Sequence, residues 1–440
     1  MAQAHAAPRS LSDQFKEFMH RQTSGALVLL VATVAALIIA NSPLATAYDQ
    51  FLHTELGVTF GPLEFEQSVL HWIDDALMAV FFFVVGLEIK REFIVGELST
   101  LRGALLPVIA AVGGMLVPAA IYIAINMGTE TQQGWGVPMA TDIAFALGVL
   151  ALLSSRVPAG LKVFLTALAI ADDIGAILVI AVFYTSQVYW GWLLFALVPL
   201  AVLIVLNKRH VEAPAAYLLV ASVLWFAFFK SGIHATIAGV IAAFTIPATA
   251  RITPLDFTDT CKLKVDEIEQ LDVPGAHTLA DDEQQHLAFE IQEAAEHSIS
   301  PLQRLEHDLH PVSTFVILPL FALANAGVPL SGSDLASPVS MGIILGLVVG
   351  KLVGVSGATF LAVKTGLTDL PDGVGWKHVV GAGALAGIGF TMSLFVANLA
   401  FRDVGVQAEA KVAIFVASII AGVLGFCLLR FWAPRGLGRG

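Results

Sequence analysis

The chain has 440 residues, 57% hydrophobic and 13% charged, with a mean hydropathy of +0.81. Soluble domains carry roughly 25% charged residues, so the composition describes a polytopic membrane protein and excludes a soluble enzyme or binding module. The formal net charge of −12 is local: residues 252–310 hold 14 acidic and 3 basic side chains, leaving 21 and 20 for the rest, and no basic surface for nucleic acid emerges.

Arg9, Lys16 and Arg21 precede an apolar run from Gly25 to Ala40, with Ala45, Thr46 and Ala47 beyond it. The run is long for the core of a cleaved leader and many spans follow, so it reads as the first transmembrane helix. Apolar windows of about 20 residues predict twelve spans, at 24–41, 68–88, 103–126, 137–153, 160–184, 189–206, 213–229, 232–249, 311–328, 340–362, 376–399 and 411–431. With the N-terminus inside, 19 of the 23 Lys and Arg fall on inner segments; Lys230, Arg402 and Lys411 lie outside, and Lys351 lies within a span. That asymmetry predicts both termini in the cytoplasm. Cys261 sits in a polar loop and Cys427 in an apolar run, so no disulfide is implied.

Between the first two spans, residues 56–66 alternate apolar and polar around Gly61 and Pro62. A small extracytoplasmic β-hairpin, whose edge offers a pairing surface to a second subunit, and an irregular loop both fit. The second span carries Asp74 and Asp75 near its outer end, where they would face an outer vestibule. Its inner end holds Glu88, Lys90, Arg91 and Glu92, which also suit a solvated helix terminus. The inner loop 250–310 is rich in Asp, Glu and Gln. Its first part is expected to be disordered, with an amphipathic surface helix over Glu283 to His297.

The fourth span has Gly134, Gly136 and Pro138 early and Thr141 and Asp142 near its centre. The eleventh has Gly381, Gly383, Gly387 and Gly389. Glycines permit close helix packing, but they also weaken a helix. Together with Thr141-Asp142 they point to two helices interrupted in mid-membrane. Such backbone is tolerated at that depth only where it lines a cavity or is buried in protein.

Lys351 in the tenth span is too central to snorkel, and the only central carboxylates are Asp142, Asp172 and Asp173. A structural salt bridge and a lysine that exchanges its carboxylate partner for a proton or cation both answer its need for a partner. In the fifth span Asp172 and Asp173 stand side by side. Ionisable residues at this depth are costly and are read as functional. Adjacent helical residues point about 100° apart, so both carboxylates can reach one cavity. They titrate as a coupled pair, and their oxygens suit a small hard cation. Proton and cation then compete for one site. That suffices for exchange if the site opens to one side at a time.

Eight segments carry a resemblance across nearly the whole chain: 75–92 with Gly86, Glu88 and Glu92; 140–146 with Thr141 and Asp142; 169–176 with Asp172 and Asp173; 231–236 with His234; 305–311 with Glu306, His307 and His310; 318–327 with Asn325; Gly350-Lys351; and 387–395 with Thr391 and Ser393. In these the sequence resembles the NhaA-type Na+/H+ antiporters of bacterial inner membranes. The resemblance implies an all-α polytopic membrane protein of about 12 transmembrane helices with inverted-topology repeats. The core repeats would be 103–184 and 340–431, with interface helices in 24–88 and 189–328 and an acidic cytoplasmic loop at 250–310.

It further implies an ion and proton site of Asp172, Asp173, Asp142, Thr141 and Lys351, with Asp173 the direct Na+ ligand and Lys351 pairing with Asp172 when the site is empty. Asp142 and Lys351 would neutralise helix ends at the crossing. Glu88, Arg91, Glu92, Glu306, His307 and His310 match a pH-response cluster. The implied activity is electrogenic export of Na+ or Li+ against H+ by a homodimer, serving pH and sodium homeostasis, with no cofactor and no enzymatic reaction. Three features depart from the family pattern: Asp74 stands where many relatives have Asn, loop 252–300 is long, and Val312-Ser313 follows His310-Pro311 where an aromatic is common. The main rival is a sodium-coupled symporter of an organic solute, which needs a larger pocket. An intramembrane aspartyl protease would need its Gly-x-Gly-Asp signature, which the sequence lacks. A channel is disfavoured because a lysine-paired carboxylate site traps an ion.

Overall fold

The computed structural model describes residues 11–60, 63–154, 156–185, 187–271, 282–329 and 334–434. In chain order the elements are α1 (Leu11–Ala40), α2 (Ala45–Leu52), β1 (Glu55–Phe60), β2 (Leu63–Ser68), α3 (Val69–Ile94), α4 (Leu101–Ile125), a 3-10 segment (Glu130–Met139), α5 (Ile143–Leu152), α6 (Ala159–Phe183), α7 (Trp190–Lys208), α8 (Pro214–Ser231), α9 (Thr236–Thr245), α10 (Pro254–Leu271), α11 (Asp282–Ser298), α12 (Pro301–Asn325), α13 (Pro338–Lys364), α14 (Trp376–Leu385), α15 (Phe390–Ala400) and α16 (Val404–Trp432).

Among the described residues nine helices have the length and apolar character of a membrane span: α1, α3, α4, α6, α7, α8, α12, α13 and α16. The 3-10 segment with α5, bent by 41°, and α14 with α15, bent by 47°, make two broken spans and bring the count to eleven. The protein is an all-α polytopic membrane protein with one small hairpin.

The eighth predicted span, 232–249, is corrected: only the ten residues Thr236–Thr245 are helical there. Ten residues rise about 15 Å, half of a hydrocarbon core of about 30 Å. Gly232, at φ +81°, stops α8, and Ile246 is extended before Pro247, the conformation proline imposes on its predecessor.

Side chains at the helix starts set several boundaries. Thr100 accepts from the Gly103 N–H, Ser337 from Ser340 and Asp403 from Val406. Ser300 and Gln303 form a capping box at the start of α12. Wide π-type turns interrupt α3 at Trp72–Leu77 and α13 at Gly346–Gly350. The first contains Asp74 and Asp75, and Lys351 follows the second. Such turns recur at functional positions in helices.

Two hydrophobic clusters organise the helices. One gathers Phe83 and Leu87 of α3 with Tyr217, Leu224, Ala242 and Leu305 of α8, α9 and α12. The other joins α4, α5, α6 and α13 to α16 with α1, around residues such as Tyr122, Phe164, Leu385 and Phe395. Two glycines bring helices together backbone to backbone. A Cβ on Gly354 of α13 would lie 2.2 Å from the Gly113 carbonyl oxygen of α4, and one on Gly239 of α9 would lie 2.2 Å from that of Ala79 in α3.

β1 and β2 pair antiparallel, with Phe60 opposite Leu63; the turn residues Gly61 and Pro62 lie outside the described residues. In the acidic loop, α11 matches the expected surface helix. The expected disorder ahead of it is corrected: α10 is an 18-residue helix. Asp256 and Thr253 cap its start reciprocally, and Lys264 bridges to Glu290 of α11 at 2.8 Å. A charge-rich composition concealed these specific pairings. Residues 272–281 lie outside the described residues.

Candidate ion site and its flanking cavities

The two broken spans cross at their breaks. The Asp142 N–H donates to the Ile388 carbonyl at 2.6 Å, the Thr141 hydroxyl to the Ala386 carbonyl at 2.8 Å, and the Ser393 hydroxyl to the Val137 carbonyl at 2.8 Å. Asp142 caps both outgoing helices. Its Oδ1 accepts from the Phe145 N–H of α5 at 3.1 Å. Its Oδ2 accepts from the Thr391 N–H of α15 at 3.1 Å and from the Thr391 hydroxyl. Both N-termini present partial positive charge and unpaired N–H groups, and one carboxylate answers both.

Asp172 and Asp173, in the middle of α6, are 1% and 3% exposed, and Lys351 is wholly buried. Lys351 Nζ donates to Asp172 Oδ2 at 2.5 Å. Asp172 Oδ1 is buried without a hydrogen-bond partner, with Thr141 close by. Among the described residues, no hydrogen bond or ion pair ties the Asp173 side chain to another group. The two neighbours therefore face different surroundings: a lysine for Asp172, open space for Asp173.

That space is a cavity of about 120 Å³. Asp173, Asp142, Thr391 and Met392 line its deep part, and Glu88, Arg91, Glu306 and His310 also border it. Arg91 ion-pairs with Glu306 and, at 3.3 Å, with Glu92; His310 lies 3.9 Å from Glu88. The predicted pH-response residues thus gather in one place with two exceptions. Glu92 joins through Arg91 without bordering the cavity, and His307 is exposed. Lys90 serves elsewhere: its ammonium donates to the Phe244 carbonyl at 2.7 Å and to that of Ile246, capping the end of α9.

A second cavity, about 290 Å³, is lined by Asp74, Asp75, His71, His234, Phe395 and Asn398. Between the cavities Phe395 of α15 packs against Phe82 of α3 and Phe321 of α12, with ring centroids 5.5 and 6.2 Å apart. His234 donates from Nε2 to the Tyr184 carbonyl at 2.8 Å, tying the start of α9 to the end of α6.

Sequence reasoning assigned no role to Thr391, Ser393, Asn325, Asn398 or Phe395. A hydroxyl or amide in a transmembrane helix, where every polar group needs a partner, is the signal that marks the first four. Nothing in the sequence distinguished Phe395 from the other phenylalanines. Among the described residues no three His, Cys, Asp or Glu side chains form a metal-holding group. The central carboxylates are arranged as two neighbours and a helix cap, not as a closed metal cage.

The family model described as Na+/H+ antiporter 1 matches residues 16–429. The chain is 48% identical over 431 residues to the Na(+)/H(+) antiporter NhaA of Oleidesulfovibrio alaskensis, covering 97% of this chain and 96% of that one. It is 46% identical over 428 residues to that of Sulfurimonas denitrificans, covering 96% of each chain. To that of Helicobacter pylori it is 47% identical over 420 residues, covering 94% of this chain and 95% of the relative. With so long a match, and with two broken helices crossing beside a buried carboxylate pair, the chain belongs to the Na+/H+ antiporter 1 family.

Proposed function

We propose that the chain exchanges Na+ for H+ across the bacterial inner membrane by alternating access, with proton and cation competing at Asp172 and Asp173. The observation that carries this reading is the unequal pair: Asp173 open to the cavity without a protein partner, Asp172 held by Lys351 at 2.5 Å. A deprotonated Asp173 offers oxygens to a small hard cation. Occupancy by the cation draws on Asp172 and releases Lys351, with Thr141 as a further oxygen. Protonation restores the Asp172–Lys351 pair. Asp142 keeps the crossing intact throughout by capping both helices. A cavity of about 120 Å³ suits ions and water, which favours antiport over a symporter of an organic solute.

Further parts of the reading are electrogenic exchange, with more protons than Na+ moved per cycle, acceptance of Li+, and both termini in the cytoplasm. Glu88, Arg91, Glu92, Glu306, His307 and His310 would form the pH-response cluster, and Asp74 and Asp75 the outer vestibule. A homodimer would join along the β1–β2 edge. Repeats 103–184 and 340–431 would move against the remaining helices.

Everted membrane vesicles with a respiration-generated pH gradient and a pH dye test the reading. Added Na+ or Li+ alone dissipates the gradient, and Asp173→Asn abolishes that response. A gradient that collapses only when an organic solute is also present refutes antiport, and an unchanged Asp173→Asn response refutes the site.

A further inference from the structure

Asp74, Asn325 and Asn398 come from three different helices and meet at the wall of the second cavity, which Asp74 and Asn398 line. Asn325 Nδ2 donates to Asp74 Oδ1 at 2.6 Å. Asn398 Nδ2 donates to Asn325 Oδ1 at 2.6 Å and reaches Asp74 Oδ2 at 3.5 Å. Asn325 also donates to the Phe321 carbonyl at 3.2 Å, which fixes its amide on α12. Asn398 lies one helical turn from Phe395 on α15, so both face α3 and α12 together. Asp74 sits in the π-type turn of α3, which directs it into this junction.

The spacing along α15 gives the cluster its meaning. Thr391 and Met392 line the cavity that holds Asp173; Phe395, Asn398 and Leu399 line the cavity that holds Asp75. One turn of α15 thus carries both linings, and at that turn Phe395 packs against Phe82 and Phe321. The polar triad sits beside these rings, on the Asp75 side. Hydrogen bonds to a charged acceptor are among the stronger ones; two of the three bonds here end on the Asp74 carboxylate, and the two from Asn398 tie α15 to α3 and α12.

We propose that Asp74 is a positioning residue for exchange: with Asn325 and Asn398 it clasps α15 to α3 and α12 and so keeps the path from Asp173 to the outer cavity shut in this state. The inference rests on the alternating-access reading above and adds to it the residues that set the balance between its two states. Opening the outer path requires Asn398 to leave Asn325 Oδ1 and Asp74 Oδ2, and water in the outer cavity then takes its place on these two acceptors. Asp74 makes no contact with the transported ion; it acts through α15.

The test uses the full chain with Cys261 and Cys427 replaced by Ser and one reporter, Met392→Cys, on the wall of the inner cavity. Intact cells are treated with a membrane-impermeant cationic thiol reagent. Asp74→Ala and Asn398→Ala are each expected to raise labelling from outside by about tenfold or more, the size set by losing one or two charge-assisted hydrogen bonds. Asp74→Asn, which keeps one acceptor oxygen, is expected to fall between. Without the reporter, the same substitutions raise the apparent Na+ KM at the inner face and lower it at the outer face, because they shift the population open to each side. Labelling within about twofold of the parent in both alanine variants overturns the clasp, as does a loss of activity equal from both faces. Asp173→Asn, run in parallel, reports on the ion site alone: if it abolishes exchange while the clasp variants label like the parent, only the clasp is refuted.

Discussion

Replacing Asp142 tests whether one carboxylate holds the crossing together. Asp142→Ala removes the acceptor for the Phe145 N–H and the two acceptor contacts to Thr391. An N-cap is worth about 1 kcal/mol, and a hydrogen bond to a charged acceptor about 1.5–3 kcal/mol. Allowing for non-additivity, the loss comes to about 3–5 kcal/mol. Asp142→Asn separates the contributions. Its one amide oxygen can cap α5 or α15 but not both, and its NH2 then points at an N–H donor. The expected cost is about half that of the alanine variant. Thr391→Val removes a single hydroxyl contact and costs about 1–2 kcal/mol. Thermal unfolding in detergent at fixed scan rate, read from intrinsic fluorescence, should rank the proteins parent, Thr391→Val, Asp142→Asn, Asp142→Ala. Irreversible unfolding makes the apparent midpoint the relevant quantity. A midpoint for Asp142→Asn equal to the parent would show that one cap suffices and would refute the double-cap reasoning.

Lys351→Ala leaves the Asp172 charge buried alone, which costs about 3–5 kcal/mol when a buried pair is broken from one side; unchanged melting in detergent counts against the pairing. Gly354→Ala places a methyl group 2.2 Å from the Gly113 carbonyl oxygen, so α13 must move off α4; expression and melting both fall, whereas Gly357→Ala, with open space around it, behaves as the parent. The α10–α11 hairpin carries a definite pH window. Lys264 holds Glu290 below its ordinary 4.5, and Glu290 and Glu267 hold Lys264 above 10.5. The lowered acid contributes stability above pH 4.5 that disappears as pH falls through its folded value. The raised lysine contributes below 10.5 and loses that contribution as pH rises. Protection of the hairpin from limited proteolysis should therefore decline as pH falls below 4.5, and protection unchanged in acid would contradict the assignment.

Much of the centre was legible because the membrane makes polar residues conspicuous. Asp142, Asp172, Asp173 and Lys351 stand out in apolar runs, and glycine clusters beside them mark breaks. The Asp172–Lys351 contact itself needed coordinates, since three carboxylates were available to one lysine. The resemblance assigned Asp142 and Lys351 to the helix ends at the crossing. In the fold the Asp142 side chain caps both outgoing N-termini, because the crossing brings Thr391 to it from 249 residues away. Span counting misread 232–249, where hydropathy persists but only Thr236–Thr245 are helical, between Gly232 and Pro247. Composition misread α10, whose stability lies in caps and a cross-helix ion pair that a charge count does not register.

On the proposed electrogenic exchange, the short stretch of α15 between the two cavity linings also bears on where membrane voltage would act. An electrical potential drops mainly across the driest stretch of a path. Met392 borders one cavity and Phe395 the other, a helical rise of about 4.5 Å in a hydrocarbon layer of about 30 Å. With both cavities filled by water, the field would be concentrated several-fold over this stretch of α15. A charge passing this stretch would then do most of its electrical work there, about 2.3 kcal/mol per 100 mV. Voltage sensitivity of transport should accordingly reside in the short stretch around Phe82, Phe321 and Phe395.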